Sequence, residues 1–353
     1  MNYVIDGLFL TQKITGIQRF AYEICKELDK ICNDHNLEIL VPENSSISIV
    51  FTNIKLVKYG KHNGRLWEQI DLGNYLKKNN KEGIFLTNEL PLFYRRGIIC
   101  IHDISYKVNP RFFTSLKDRI SSWWHRVNYY AASNSKMSII TVSHFSKSEI
   151  ERVYDVDQKR ITVINNSWQH MNKVEENCDL FRKYNYLEKS NFYFSMSTLA
   201  VNKNFKWVLC AAKNNSDYEF AIAGGGKLKI AAEEMGFANL PNVHFLGYVS
   251  DEDAKALMHH CKAFLFPTFY EGFGIPPLEA VACGCKNIIV SDIPVMLEIY
   301  GDYANYIDPN NYDDNQLSGI EEINDIEKLL SNYSWKESAE KLYDLLKNED
   351  GKQ

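Results

Sequence analysis

Short apolar runs alternate along the chain with longer stretches of helical spacing. Val4 and Ile5 open the first run, which continues into Asp6, Gly7 and a loop reaching Gly16. Beyond it Ile17, Phe20, Ile24 and Leu28 recur at three- and four-residue intervals, which predicts a helix with one apolar face. Further strand-like runs fall at 38–41, 54–57, 84–86, 98–101 and 139–142, separated by helical or loop segments. That alternation predicts a doubly wound α/β domain. From 166 to 190 the pattern loosens into polar residues without a period, which reads as a linker. A second series begins at 192–197 and continues at 220–223, 242–247, 264–266 and 287–290. Ser334-Trp-Lys-Glu337 then reads as a capping box opening a final amphipathic helix. The expected organisation is one α/β domain over 1–168, a linker over 169–190, a second α/β domain over 191–333, and the helix 334–353.

Composition narrows this picture. A chain of 353 residues is long for a single core, and 45% hydrophobic with 24% charged residues is ordinary for a globular protein. A net charge of −5 argues against nucleic acid as a partner. No apolar run approaches the length of a membrane span, and the first residues, MNYVIDGLFL, lack the basic start and small-residue cleavage site of a signal peptide. The eight cysteines are scattered without C-x2-C spacing, so they predict reduced thiols, with Cys283 and Cys285 as small packing residues. Residues 107–136 stand apart: six basic side chains (Lys107, Arg111, Lys117, Arg119, Arg126, Lys136) face one acid, Asp118, with Phe112, Phe113, Trp123, Trp124, Tyr129 and Tyr130 interleaved. Two readings of this segment stand open. One is peripheral contact with an anionic membrane; the other is a helix that buries its aromatics and solvates its charges.

The candidate chemistry centres on residues 264–284, FLFPTFYEGFGIPPLEAVACG. Phe264 to Phe266 suit a buried strand, Gly272 and Gly274 permit a tight backbone path, Pro276 and Pro277 open a helix, and Gly284 caps it. A strand feeding a glycine-rich turn and a helix start is an anion site. Glu271 and Glu279 flank it, eight residues apart, where carboxylates would repel an anion unless they hold another part of the same ligand. Sugar hydroxyls are the natural partners, which points to a nucleotide sugar. The plain alternative leaves Glu271 solvated and Glu279 complementing the helix dipole. In the first half, His102 and Asp103 follow the run 98–101 at a strand's carboxyl end, where ligands of such sheets sit. Asp251-Glu-Asp253 and Asp155-Val-Asp157 read as helix starts rather than metal motifs, and Ser143 and Ser146 as caps.

The stretch E-G-F-G-I-P-P-L-E, 271–279, resembles the E-x7-E signature of the retaining GT-B glycosyltransferases of family four. The resemblance implies an α/β chain of two Rossmann-like doubly wound domains facing across a cleft, with the final helix crossing back to the N-terminal, acceptor-binding domain. It places Gly16 (in T-G-I-Q-R-F) and Asp103 on the donor, and sets His102 against the donor sugar. Thr198-Leu-Ala-Val-Asn-Lys-Asn resembles the family's phosphate loop, so Lys203 falls on its lysine, although Asn202 stands near where many members have an arginine. Gly224, Gly225, Tyr248 and Val249 are implied beside the nucleotide, with Gly272, Phe273, Gly274 and Ile275 around the donor. Glu271 is assigned to hydroxyls of the donor sugar and Glu279 to the ribose. His102, Lys203 and Glu271 form the implied catalytic set, with no metal and no cofactor beyond the nucleotide sugar. The segment Ser291-Asp-Ile-Pro to Glu298 resembles bacterial polysaccharide transferases. Hexose transfer is therefore expected, from GDP-mannose first and dTDP-rhamnose or a UDP-hexose next, to an oligosaccharide or lipid-linked acceptor. The place of action is the cytoplasm or the inner face of the plasma membrane. A nucleotide-sugar epimerase or phosphorylase, and a non-catalytic sugar-nucleotide-binding subunit, are the alternatives.

Overall fold

The computed structural model describes residues 2–32, 37–187, 191–313, 315, 317 and 319–350. They form two compact units, Met1–Asn166 with Ser334–Gln353, and Ser167–Tyr333.

The first unit is built on a seven-stranded sheet of β1 (Tyr3–Asp6), β2 (Leu37–Val41), β3 (Lys55–Lys58), β4 (Glu82–Phe85), β5 (Gly97–Cys100), β6 (Ser138–Thr141) and β7 (Ile161–Val163). The order is β3-β2-β1-β4-β5-β6-β7, with neighbours parallel throughout. Every residue of β1, β2 and β5 is buried, because a parallel sheet covered on both faces needs continuous apolar runs. The edge strand β3 instead starts and ends on exposed lysines, Lys55 and Lys58, which discourage further strand pairing. The helix Gly16–Ile31 buries Phe20, Ile24 and Leu28. Against it packs the last helix, Trp335–Asp350, whose Trp335 ring meets Phe20 edge-on at 6.1 Å. Ser334 caps that last helix, accepting the Glu337 N–H at 3.3 Å.

The second unit carries β8 (Phe192–Ser197), β9 (Glu219–Gly224), β10 (Val243–Gly247), β11 (Ala263–Phe266), β12 (Ile288–Ser291) and β13 (Asn305–Ile307). Its parallel sheet runs β10-β9-β8-β11-β12-β13. In each sheet the order reverses beside the unit's first strand, between β1 and β4 and between β8 and β11. The stretch 167–187 is part of this second unit rather than a linker. Trp168 Nε1 donates to Leu330 O at 2.9 Å, and Lys255 Nζ reaches Met171 O and Val174 O at 2.9 and 2.8 Å. A polar, aperiodic run can thus be folded when its backbone carbonyls find side-chain donors; the end of the expected linker, 188–190, lies outside the described residues.

Several local expectations shift. Asp155 is left-handed (φ 52°) and ends the helix His144–Tyr154 instead of starting one, while Asp157 accepts the Lys159 N–H. Ser250 caps the helix Asp251–His260, leaving its three acids in the first turn. Ser143 caps as expected, but Ser146 lies inside the helix and donates to His102 O at 3.1 Å. The segment 107–136 buries some of its aromatics and exposes others. The helix Leu116–Ser133 buries Tyr129, and Phe112 before it is buried too, while Leu116, Ile120, Trp123 and Tyr130 are between 59% and 75% exposed. Their spacing of four, three and seven puts them on one helical face, with exposed Lys117, Arg119 and Arg126 alongside. Among the described residues no helix is long and apolar enough to cross a membrane.

Candidate functional site

Lys203 and Glu271, sixty-eight positions apart, meet in the second unit. Lys203 ends a short 3-10 turn after β8; Glu271 lies in the loop after β11. These strands are neighbours at the sheet's reversal point, where ligands of open α/β sheets bind. Lys203 Nζ is 2.7 Å from Glu271 Oε1 and 5.2 Å from the Phe266 ring centre. The two loops are stitched together: Phe269 N–H donates to Asn202 O at 2.8 Å and Asn202 Nδ2 to Tyr270 O at 3.3 Å. Thr268 Oγ1 lies 2.8 Å from Glu271 Oε1 and 2.7 Å from Asn202 O. Asn202, which stands near the family's arginine, therefore braces the loop rather than adding charge.

Glu279 lies on the helix Ile275–Ala282, at its fifth position rather than in its first turn. It is held by a residue the sequence did not single out: His170 Nε2 donates to Glu279 Oε1 at 2.8 Å, and the His170 side chain is almost wholly buried. Pro276 and Pro277 fall at the second and third helical positions, so two of the amides that a helix start normally presents are missing. Gly274 before the helix is left-handed (φ 86°), and a Cβ there would come within 2.4 Å of Met296 Cε. The Tyr300 hydroxyl donates to Gly274 O, and Phe273 packs edge-on against Tyr333 at 5.3 Å. Gly272, Phe273, Gly274 and Ile275 are buried, a rigid loop between the two glutamates. Gly284 closes the helix in a Schellman motif, with Cys285 N–H to Ala280 O at 3.0 Å and Gly284 N–H to Val281 O at 3.0 Å.

At the end of β9, Gly224 approaches β8 so closely that a Cβ would lie 2.1 Å from Ser197 O, whereas Gly225 has open space around it. Tyr248 is exposed and Val249 buried, just beyond the left-handed Gly247. Glu298 is exposed near the end of the helix Pro294–Tyr300.

In the first unit, Gly16 is the first residue of its helix. His102 is buried: its N–H goes to Asn88 Oδ1 at 2.8 Å, its Nε2 donates to Leu86 O at 2.9 Å, and its ring meets Phe20 edge-on. Burial lowers its pKa, so the imidazole is neutral with the proton on Nε2. The Asp103 carboxylate accepts the Ser105 N–H at 2.7 Å, in a local turn. Two clusters escaped the sequence reading. One is Asp6 at the end of β1, Glu68 in the helical turn Trp67–Leu72 and Glu89 in the loop after β4. The other is Glu176 with His259 and His260, whose ring nitrogens sit 2.7 and 2.6 Å from its two oxygens; of the described residues these three could hold a metal ion.

The family described as "Glycosyl transferases group 1" matches residues 178–353. O-antigen chain mannosyltransferase RfbU of Salmonella typhimurium is 30% identical over 264 residues, spanning 73% of this chain and 70% of that protein. O-antigen chain mannosyltransferase B of Escherichia coli is 27% identical over 338 residues, 87% of each chain. The solved sucrose-phosphate synthase of Thermosynechococcus elongatus superposes with a TM-score of 0.72 at 13% identity, over 99% of both chains, which shows a shared fold. With two parallel α/β sheets, each reversing beside its first strand, and relatives of this kind, the chain belongs to the group 1 glycosyltransferases and has the GT-B fold.

Proposed function

We propose that the chain transfers a hexose, mannose before rhamnose or glucose, from a nucleotide-diphosphate donor to a hydroxyl of a growing bacterial surface polysaccharide. The observation that carries this is the Lys203–Glu271 pair at the reversal point of the second sheet, with Glu279 eight residues beyond. Lys203 neutralises the diphosphate, more strongly as the glycosidic bond breaks and negative charge collects on the leaving group. Glu271 takes hydroxyls of the donor sugar and Glu279, oriented by His170, takes the ribose. Tyr248 and Val249 flank the base, with Gly224 and Gly225 beside the nucleotide. His102, Asp103 and Gly16 enter on the family resemblance alone. The preference for mannose rests on the two mannosyltransferase relatives.

Transfer proceeds with retention in this reading. Front-side attack, with the leaving phosphate taking the acceptor's proton, needs no carboxylate nucleophile. No metal is required, because a fixed cation already faces the diphosphate. The acceptor is lipid-linked, and the exposed face of the helix Leu116–Ser133 rests on the anionic membrane that carries it: its apolar side chains enter the interface while Lys117, Arg119 and Arg126 meet headgroups. The test is to incubate the protein with GDP-mannose, dTDP-rhamnose and UDP-hexoses, with and without lipid-linked acceptor, and to measure free nucleoside diphosphate. Acceptor-dependent release is expected. An isomerised donor would mean an epimerase, and binding without turnover a non-catalytic subunit.

A further inference from the structure

Glu176 lies in the extended stretch after the 3-10 turn Gln169–Lys173, and His259 and His260 end the helix Asp251–His260. They are 83 and 84 positions apart, yet His259 Nδ1 is 2.7 Å from Glu176 Oε2 and His260 Nε2 is 2.6 Å from Glu176 Oε1. Adjacent helical side chains leave the axis about 100° apart. These two converge because His259 uses the nitrogen near its backbone and His260 the one at the far end of its ring. The rings stack at 4.3 Å, 24° from parallel.

The surroundings hold the cluster in place. Phe181 meets the His260 ring edge-on at 5.3 Å, and a Cβ at Gly284 would lie 3.0 Å from His259 Cδ2. The stretch carrying Glu176 is fastened to the same helix on both sides. Lys255 Nζ donates to Met171 O and Val174 O, and Asn177 Nδ2 to Asp253 Oδ1 at 2.7 Å. Side-chain exposures of 46% for His259, 19% for His260 and 23% for Glu176 leave an open face through which an ion reaches all three.

The three ligand atoms lie within 4.8 Å of one another. Zinc at its usual bond length of about 2.0–2.1 Å would set them roughly 3.4 Å apart, so each pair moves by no more than about 1.5 Å. Three protein ligands and one position facing solvent complete a tetrahedron. The helix's carboxyl end, with its partial negative charge, favours a cation there. Two imidazoles and a carboxylate suit zinc, whereas magnesium and calcium take oxygen ligands. Binding displaces the protons that the two rings donate to Glu176, which pass to the opposite ring nitrogen or to solvent.

We propose that Glu176, His259 and His260 form a site for zinc or a similar divalent transition metal, which ties the stretch 171–177 to the end of the helix Asp251–His260. The site shares no residue with the donor site, so the ion is structural and the glycosyl-transfer reading does not depend on it.

The test is calorimetry of the full chain with zinc chloride in chelator-free buffer, with magnesium chloride as the comparison, and thermal melts in zinc and in EDTA. One zinc per chain is expected, at least about a hundredfold tighter than magnesium. The melting temperature should rise by on the order of 5 °C at zinc a hundredfold above Kd. Glu176→Gln and His259→Ala should each weaken zinc at least about tenfold, since loss of even an outer partner of a metal ligand costs that much. Both should also lose the melting shift. Cooperative melting of these variants in EDTA separates lost binding from lost fold. Cys178→Ser should bind zinc as the unaltered protein does, because that exposed thiol, a rival zinc donor, is turned to Glu176 O. The cobalt(II) form of the unaltered protein needs no variant. It should show the visible bands of tetrahedral nitrogen and oxygen coordination without a thiolate charge-transfer band. Unchanged zinc affinity in both ligand variants means an adventitious ion only and overturns the site. So do magnesium binding as tight as zinc, a thiolate band, loss of binding in Cys178→Ser, or no zinc binding at all.

Discussion

Replacing Lys203 tests whether its charge acts on the leaving group, but the variant must be read with its partner in mind. Lys203 Nζ is 2.7 Å from Glu271 Oε1, and the two side chains are 28% and 14% exposed. Lys203→Ala therefore does two things: it removes a cation from the diphosphate, and it leaves the Glu271 carboxylate uncompensated beside an anion. A carboxylate and a phosphate about 4 Å apart repel by about 1 kcal/mol in water and about 4 kcal/mol at the effective dielectric of a protein surface. The largely covered Glu271 still borders solvent and lies between those limits, so the single variant should lose donor affinity by anything from several-fold to several hundred-fold. That loss says nothing about the transition state.

The informative comparison is Lys203→Ala made in a Glu271→Gln background, where the repulsion is gone. Removing one positioned donor to a developing anion costs roughly a hundred- to a thousandfold in kcat. Partial solvation of Lys203 places the expectation at the lower end, about a hundredfold. The assay is nucleoside diphosphate release at saturating donor and acceptor, with donor Kd by calorimetry for the four members of the cycle. Between Glu271→Gln and the double variant, kcat should fall about a hundredfold while Kd changes by no more than about threefold. If kcat stays put and KM alone rises, Lys203 binds ground state and transition state equally and the leaving-group argument is wrong.

Glu279→Ala should cost roughly 1.5–3 kcal/mol of donor binding, the range of a charge-assisted hydrogen bond, and His170→Ala should cost less and become silent once Glu279 is gone; unchanged donor affinity in calorimetry would reject both roles. The buried acid pair sets a pH dependence of stability. Asp6 ionises near 6 in the folded chain and 3.8 in the unfolded one, so the unfolded state binds fewer protons above pH 4 and the Asp6 share of stability falls by roughly 3 kcal/mol as pH rises through that window, with the raised Glu68 carboxyl adding a fall of the same sign. Glu68→Gln keeps a donor to Asp6 and removes the second acid, so thermal melts from pH 4 to 8 should slope less than in the unaltered protein; identical slopes would mean the carboxyls do not share a proton. Ile120→Ser with Trp123→Ser should cut co-sedimentation with phosphatidylserine vesicles at least tenfold, in a salt-sensitive way, without lowering the melting temperature, because both side chains are exposed; unchanged sedimentation removes that face from the membrane.

The strands were legible because a parallel sheet buried on both faces writes itself as continuous apolar runs, and the 98–101 and 264–266 runs are of that kind. The order of strands was not legible from residues alone, since β8 and β11 become neighbours with β9 and β10 between them in sequence. For the same reason Lys203 and Glu271 could be nominated separately but not paired. His170 sat in a polar stretch without a period, where only a tertiary contact marks it out. The cluster around Asp6 was hidden because its members lie far apart in sequence, at the end of β1, in the helical turn Trp67–Leu72 and in the loop after β4. These contacts also answer the objection that two glutamates beside an anion site should repel the anion. Lys203 pairs with Glu271 and His170 hydrogen-bonds Glu279, so each acid keeps a fixed orientation and the Lys203 charge offsets that of Glu271. With two prolines removing amides from the helix start, a site of bare carboxylates would be hostile to diphosphate. In the proposed site pairing would make it selective instead: a diphosphate would share Lys203 with Glu271, and that exchange would free a carboxylate oxygen for the hydroxyls of the sugar.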